Sequence, residues 1–446
     1  MNTLNEALSH FRYKFIMGSL RERQVEALKQ MLSLDTSGNI KNNNVDPSWK
    51  VLIYDKTGRD ILGPLISVKE LRDLGVTLHL MLHSGRDNIP DAPAVYFCLP
   101  TDENIQRMSQ DINNQLYGGY YYNFISPVSR AKLEDLATSA LQSGSDHLIQ
   151  RVYDQYTNFI CLEPEMFTLK QTGDNSVSYY SLNKGSVRDS EMEDMLTSIT
   201  DSLFALCVTL GTVPIIRCPP GNAAEAVASK LDKKLRDNLK DARNSLFNDA
   251  TATGRYSFHR PVLVLVDRAV DLATPLHHTW TYQALAHDVL QYNQNRVVMP
   301  GPGGKQCELD SKDKFWVEHK GSPFPQVAEA IEVALKEIKG KEDEITGMKR
   351  ELGLEGGEVE EDIISNLSLS DNTSKLTNAV SSLPELLEKK RLIDMHCRYT
   401  KCYFHSHCDI LLFSLATSVL EIIKQRRLDI FFELEEKIMS GAALDK

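Results

Sequence analysis

The chain has 446 residues, 42% of them hydrophobic and 25% charged, and a formal net charge of -11. That is the balance of a globular protein, long enough for about three domains of ordinary size. The acidic total argues against general nucleic-acid binding, which needs a basic footprint. No stretch offers the roughly 18 consecutive apolar residues of a membrane-spanning helix.

His10 to Met17 (HFRYKFIM) lacks the apolar core and cleavage site of a secretory signal and reads as an irrelevant leader. Leu20 to Leu34 follows as an amphipathic helix, with Leu20, Val25, Leu28, Met31 and Leu32 near one face. Short apolar runs come next, at Val51 to Tyr54, Val76 to Leu82, Ala94 to Leu99, Tyr120 to Ile125 and Phe159 to Leu162. Helical patterns lie between them, at Val68 to Leu74, Glu103 to Leu116 and Pro127 to Gln142. Strands alternating with helices predict a parallel sheet covered on both faces, in one α/β domain that ends near residue 160.

A second α/β unit begins there. Met166 to Lys170 and Val177 to Ser181 read as a small hairpin, Glu191 to Leu210 as a helix and Val213 to Cys218 as a strand. Ala223 to Phe247 reads as a long charged helix, and Val262 to Val266 (VLVLV) as a strand buried on both faces. Asp267, Arg268 and Asp271 then fall at that strand's carboxyl end, where open α/β sheets usually bind ligands.

From Thr281 the pattern is mainly helical. Val327, Ile331, Leu335, Ile338, Ile345, Met348 and Leu352 keep a helical spacing up to a Gly/Glu-rich loop at Gly353 to Glu361. A second helix from about Asn372 completes a long hairpin. Pro384 interrupts it, removing a donor and crowding the carbonyl of Val380, while Ser382 and Glu385 form a capping box for a new start. A kink or hinge is expected there.

Chemistry is sparse. PGPGGK (Pro300 to Lys305) fails as a phosphate-binding loop, because residue 299 is Met, Gln306 stands where Ser or Thr is needed and no strand precedes it. Asp267 and Asp271 with His278, and with His277 and His287 near, could serve metal-assisted hydrolysis, but no second ligand cluster appears. Cys397, Cys402, His405, His407 and Cys408 have zinc-ligand composition without a standard zinc spacing. A nucleophile elbow, a HExxH helix and a Rossmann glycine fingerprint are absent from the sequence. Five of the eight cysteines sit singly in apparent strands or helices, as expected of reduced thiols in the cytosol.

VLVDRAVDLATPLHHTWTYQAL, KLDKKLRDNLKDARNSLF, FWVEHKGSPFPQVAEAI and AVSSLPELLEKKRLIDMH resemble the SM proteins, the Sec/Munc-type chaperones of SNARE assembly. WKVLIYDKTGRDIL and SVKELRDLGVTLHLMLHS point to the Sly branch, which acts between endoplasmic reticulum and Golgi. The resemblance runs from about Leu20 to Met439. It implies an arch-shaped, non-enzymatic α/β protein without cofactors. Residues 1–158 would form a parallel-sheet domain, residues 159–272 the first half of a second α/β domain, and residues 273–446 part of a helical domain with a hairpin at about 325–396. A syntaxin of the ER–Golgi type and assembled SNARE helices are the implied partners. A cytoplasmic monomer, held at ER and Golgi membranes through SNAREs, is the implied state.

Carried onto this sequence, the pocket for a syntaxin N-terminal peptide falls on Leu133, Leu136, Ala137, Ile149 and Val152. Their spacing is helical on both sides of Ser143-Gly144, and without the resemblance they would read as a core stripe. The resemblance also puts the hairpin hinge at Pro384, and makes Asp267, Arg268 and Asp271 the corner between the second and third domains. Two departures are expected to matter. Family members continue beyond Lys446 with the half of the second domain that completes its sheet, so Val262 to Val266 is expected to show an open edge. Cys397 to Leu415 reads as an insertion between RLIDMH and ATSVLEIIKQRRLD, which argues against a continuous helix through residue 415. Two other functions stay open: a metal-dependent hydrolase using Asp267, Asp271 and His278, and a non-productive syntaxin binder.

Overall fold

The structure is a computed structural model. It describes residues 18–34, 49–169, 177–241, 245–247, 260–298, 306–309, 314–331, 333 and 407–440. The chain divides into two compact units, residues 1–271 and residues 272–446.

The first unit is built on strands whose residues alternate between two apolar faces. β1 (Lys50–Tyr54), β2 (Val76–Met81), β3 (Ile89–Cys98), β4 (Tyr117–Phe124) and β5 (Ile149–Asp154) form one sheet in the order β2-β1-β3-β4-β5. Every neighbouring pair in it is parallel. Leu52, Val95 and Phe97 face one core, shared with α1 (Leu20–Ser33), α2 (Lys56–Leu62) and α3 (Val68–Asp73). Val51, Ile53, Ala94, Tyr96, Tyr120 and Tyr122 face the other, covered by α4 (Asp102–Asn113) and α5 (Arg130–Gln142). This is the doubly covered parallel sheet that the alternating pattern predicts. α2 was hidden in the sequence by its glycine. Gly58 is required because a Cβ there would lie 2.4 Å from the carbonyl oxygen of Phe97.

β2 and β3 both flank β1 and run parallel to it. Residues 82–88 therefore carry the chain back across one face with no helix. Arg86, at the end of this short crossover, is wholly buried. Its Nη2 lies 2.7 Å from Oδ2 of Asp111 on α4, and Tyr96 donates its hydroxyl to the same oxygen at 2.9 Å. Burial keeps the tyrosines of this core neutral, with the Tyr120 hydroxyl pushed up to about 12.

β7 (Met166–Thr168) pairs antiparallel with β6 (Ile160–Glu163), and not with residues 177–181 as the sequence reading expects. The latter begin α6 (Tyr179–Asn183), because Ser178 and Ser181 cap one another. α7 (Asp189–Leu210) and α8 (Ala223–Lys240) pack around Leu203, Phe204 and Leu231. α8 stops well short of Phe247. The Asn238 side chain accepts the Leu246 amide at 3.0 Å, and Phe247 turns back to meet Phe204 edge-on.

β8 (Ile215–Arg217) and β9 (Val262–Val264) form a two-stranded parallel sheet. The expectation that Val262 to Val266 is buried on both faces is wrong. Leu263 and Leu265 pack on the α7/α8 core, but Val262, Val264 and Val266 are all more than half exposed. Among the described residues β9 pairs with β8.

In the second unit, α9 (Tyr282–Val289) precedes a small antiparallel sheet of β10 (Gln291–Asn293), β11 (Arg296–Val298) and β12 (Gln306–Glu308). The all-helical pattern expected from Thr281 misses this sheet, whose strands are too short to show an alternation. α10 (Lys314–His319), the helical segment 324–331, α11 (His407–Arg426) and α12 (Leu428–Met439) complete one core around Tyr282, Leu285, Val327 and Val419. α11 runs unbroken through residue 415, against the expectation of a discontinuity. The core-facing positions Leu415, Val419 and Ile423 repeat every four residues and hold it together.

Two predictions follow from these cores. Asp111→Ala leaves the Arg86 charge buried without its partner, and should cost about 3–5 kcal/mol in denaturant unfolding of the first unit. Replacing both residues by leucine should recover most of that loss. Burial also pushes the Cys161 and Cys207 thiols up to about 12 and raises the Cys98 thiol well above its ordinary value. At pH 8, alkylation followed by mass spectrometry should therefore label the half-exposed Cys218 well before those three.

Candidate functional site

In an open parallel sheet the usual ligand crevice lies at the carboxyl ends of the strands where the order reverses, here between β1 and β3. That position is filled from within. Asp55, just beyond β1, accepts the Gly58 amide at 2.7 Å and, through its other oxygen, the Leu99 amide and the Asn104 side chain, both at 3.0 Å. His83 Nε2 closes the set 2.8 Å from Asn104 Oδ1. Both oxygens of the Asp55 carboxylate are thus engaged by the protein itself.

The more open feature lies at the sheet's edge, where α5 crosses beside β5. Ser129 caps α5, and Gly144, with φ of +65°, ends it in a left-handed turn that leads through residues 146–148 into β5. The helical reading of Ile149 and Val152 is wrong, since both lie in β5. Ile149 pairs with Tyr120 and Val152 with Tyr122, while one extra residue, Gln150, is accommodated by a shift in register. In a regular strand, residues three apart face opposite ways. The bulge turns Val152 to the same face as Ile149, because Tyr120 and Tyr122 both point into the core beneath α5. The three-residue spacing that mimics a helix is the signature of a bulged strand.

Leu133, Leu136 and Ala137 thus lie on α5, and Ile149 and Val152 on β5, with Leu133, Leu136 and Ile149 sharing one core. Leu136 is part of the core at 2% exposure, and Leu133 and Ile149 are half-buried against that core. Ala137 and Val152 are exposed, Val152 at 39%. The sequence reading missed Leu141, which continues the Leu133–Ala137 row by four residues and is 67% exposed. Arg130 and Glu134 form an exposed ion pair at 2.8 Å, worth little energetically, and Lys132 donates to the Pro100 carbonyl at 2.6 Å, tying α5 to the start of α4.

The remaining candidates go elsewhere. Asp267 accepts the Ala269 amide at 2.8 Å, and Arg268 donates to the Asp271 carbonyl at 3.4 Å, which shapes a tight corner. His278 is engaged inside the second unit. Its Nδ1 lies 2.9 Å from Oε1 of Glu435 on α12, its amide donates to the other oxygen at 3.1 Å, and its Nε2 lies 3.8 Å from Asp288. Among the described residues, no group of three or more His, Cys, Asp or Glu side chains is placed to hold a metal ion. Pro384, most of the hairpin, and Cys397, Cys402 and His405 lie outside the described residues, and so do the side chains of His407 and Cys408. No helix among the described residues is long and apolar enough to cross a membrane.

Comparison with known proteins places this architecture. The Sec1 family model matches residues 50–446. The chain belongs to the Sec1 family. It is 55% identical over 444 residues to the mouse Sec1 family domain-containing protein 1, covering 96% of this chain and 66% of that relative. It is 54% identical to the Drosophila melanogaster protein sly1 homolog, with the same 96% and 66% covered. The chain thus spans just under two thirds of these Sec1 family relatives. Among solved structures it is similar to Sly1p in complex with an N-terminal peptide of Sed5p, at 30% identity and a TM-score of 0.69, over 94% of this chain and 62% of that one. The SM protein Vps45 shares the fold at 20% identity and a TM-score of 0.61, over 84% and 63% of the two chains.

The two ends of the burial range separate stability from binding. Leu136→Lys would drive a charge into the core and should unfold the first unit, visible as loss of its thermal transition. Val152→Lys, on the exposed side of β5, should leave that transition within a few degrees of the parent.

Proposed function

We propose that this chain is an SM-type regulator of the Sly branch that binds the N-terminal segment of an ER–Golgi syntaxin in a trough between α5 and β5. It promotes SNARE assembly and membrane fusion in ER–Golgi vesicle transport. It acts as a binding surface rather than an enzyme, as a cytoplasmic monomer that reaches ER and Golgi membranes through its SNARE partners. Three regions divide the work: residues 1–158 capture the peptide, residues 159–272 connect, and residues 273–446 align SNARE helices on the hairpin at about 325–396, hinged at Pro384. Asp267, Arg268 and Asp271 make the corner between the last two.

The observation that carries this reading is the apolar surface of α5 and β5 at the sheet's edge. A half-buried apolar row, Leu133 and Ile149, sits over a rigid core, with Ala137 and Val152 left open beside it. That is the geometry in which a short peptide seats one apolar anchor. The 30% identity to a protein solved with an N-terminal peptide of Sed5p supports placing a syntaxin peptide there.

Titration of a fluorescent N-terminal peptide of Sed5p tests it. Seating one anchor side chain stabilises binding by about 1.5–3 kcal/mol, so Val152→Lys should weaken affinity about tenfold or more. Equal affinity for Val152→Lys and the parent would sink the assignment.

A further inference from the structure

The Asp154 side chain links the end of β5 to the segment that leads into α5. Asp154 ends β5, and its Oδ1 accepts the Val128 amide at 3.1 Å. Val128 belongs to the connection from β4 into α5. Its side chain packs on the core beneath α5, and the next residue, Ser129, caps that helix by accepting the Lys132 amide. Beyond Asp154 the chain stays tied to the end of β4, with the Gln155 amide donating to Phe124 at 2.7 Å and the Thr157 amide to Ile125 at 3.0 Å. The Asp154 carboxylate thus joins the edge strand to the segment just before the helix cap. The other end of α5 is held separately, by Gln115 donating to the Ser145 hydroxyl at 2.9 Å.

We propose that Asp154 is a positioning residue that sets the mouth of the α5/β5 trough, holding the start of α5 at the spacing a peptide's apolar anchor requires. This rests on the trough being the peptide site. The part Asp154 plays is that of an acceptor oxygen, so a neutral isostere that keeps the oxygen serves equally well. Partial desolvation pushes the Asp154 carboxyl above the usual carboxylate range, although the residue stands at the surface.

The test titrates the N-terminal peptide of Sed5p onto the parent chain, Asp154→Ala, Asp154→Asn and Val152→Lys, and follows amide exchange at Val128. Losing one hydrogen bond should weaken Asp154→Ala about fivefold and speed Val128 exchange. Asp154→Asn should stay within about twofold of the parent with Val128 still protected. If Asp154→Ala binds like the parent, or Asp154→Asn is as weak as Asp154→Ala, the assignment is overturned. Should Asp154→Ala not fold, Asp154→Asn decides: kept affinity with a protected Val128 amide supports the assignment, and lost affinity overturns it. Val152→Lys separates the two levels. If it binds like the parent, the trough reading fails and takes the assignment with it; if it alone loses binding, only the Asp154 assignment fails.

Discussion

A parallel sheet must be covered on both faces, and the first unit is arranged around that constraint. Its central strands, β1 and β3, carry apolar side chains on both sides and are buried over residues 50–53 and 94–98. One face is closed by α1, α2 and α3, the other by α4, α5 and the bare crossover at residues 82–88. A crossover without a helix has little apolar surface of its own. Arg86 compensates, reaching from the end of the crossover into the core, where Asp111 and Tyr96 form a charged and hydrogen-bonded anchor. The cover on that face then ends at β5, the edge strand, with α5 lying only partly over it.

The same constraint explains the contrast with β8 and β9. Their inner faces rest on α7 and α8, while Ile215, Val262 and Val264 stand exposed on the other. Paired residues of parallel strands share a face, so Ile215 with Val262 and Arg217 with Val264 form one continuous outer surface. Its composition is that of a buried sheet although, among the described residues, only one side is covered. In the second unit the demands are met differently. Trp280 packs on Phe432 at 3.9 Å between ring centres, and Glu435 grips both the backbone and the ring of His278. α12 is thereby fixed to the segment that leads into α9.

Much of this was legible in the sequence. The alternation of apolar runs and amphipathic stretches placed β1 to β4, α1, α3, α4 and α5 within a few residues of their observed bounds, because their burial follows from local periodicity. Of the five pocket candidates, taken from a family resemblance, Leu133, Leu136 and Ile149 meet in one core, while Ala137 and Val152 stand exposed. What misled was the spacing of Ile149 and Val152, where a bulge at Gln150 imitates the period of a helix. β9 misled in the opposite way. Five aliphatic residues in a row read as a strand buried twice over, yet burial depends on neighbours that no local pattern supplies. Asp154 and Leu141 carried no signal at all: one acts through a backbone amide 26 residues away, the other only extends a row.

The sequence by itself determined the class of fold, the family, and the apolar residues from which a site could be made, since these rest on composition, periodicity and long matching motifs. Tertiary structure alone decided which of those residues are buried and which are open. It made Leu136 part of the core and left Val152 open. It closed the usual crevice with Asp55 and Asn104, and joined the ends of β5 and α5 through Asp154. Those outcomes depend on strand order, a one-residue shift in register and contacts between distant segments, and none of these is encoded in any single stretch of chain.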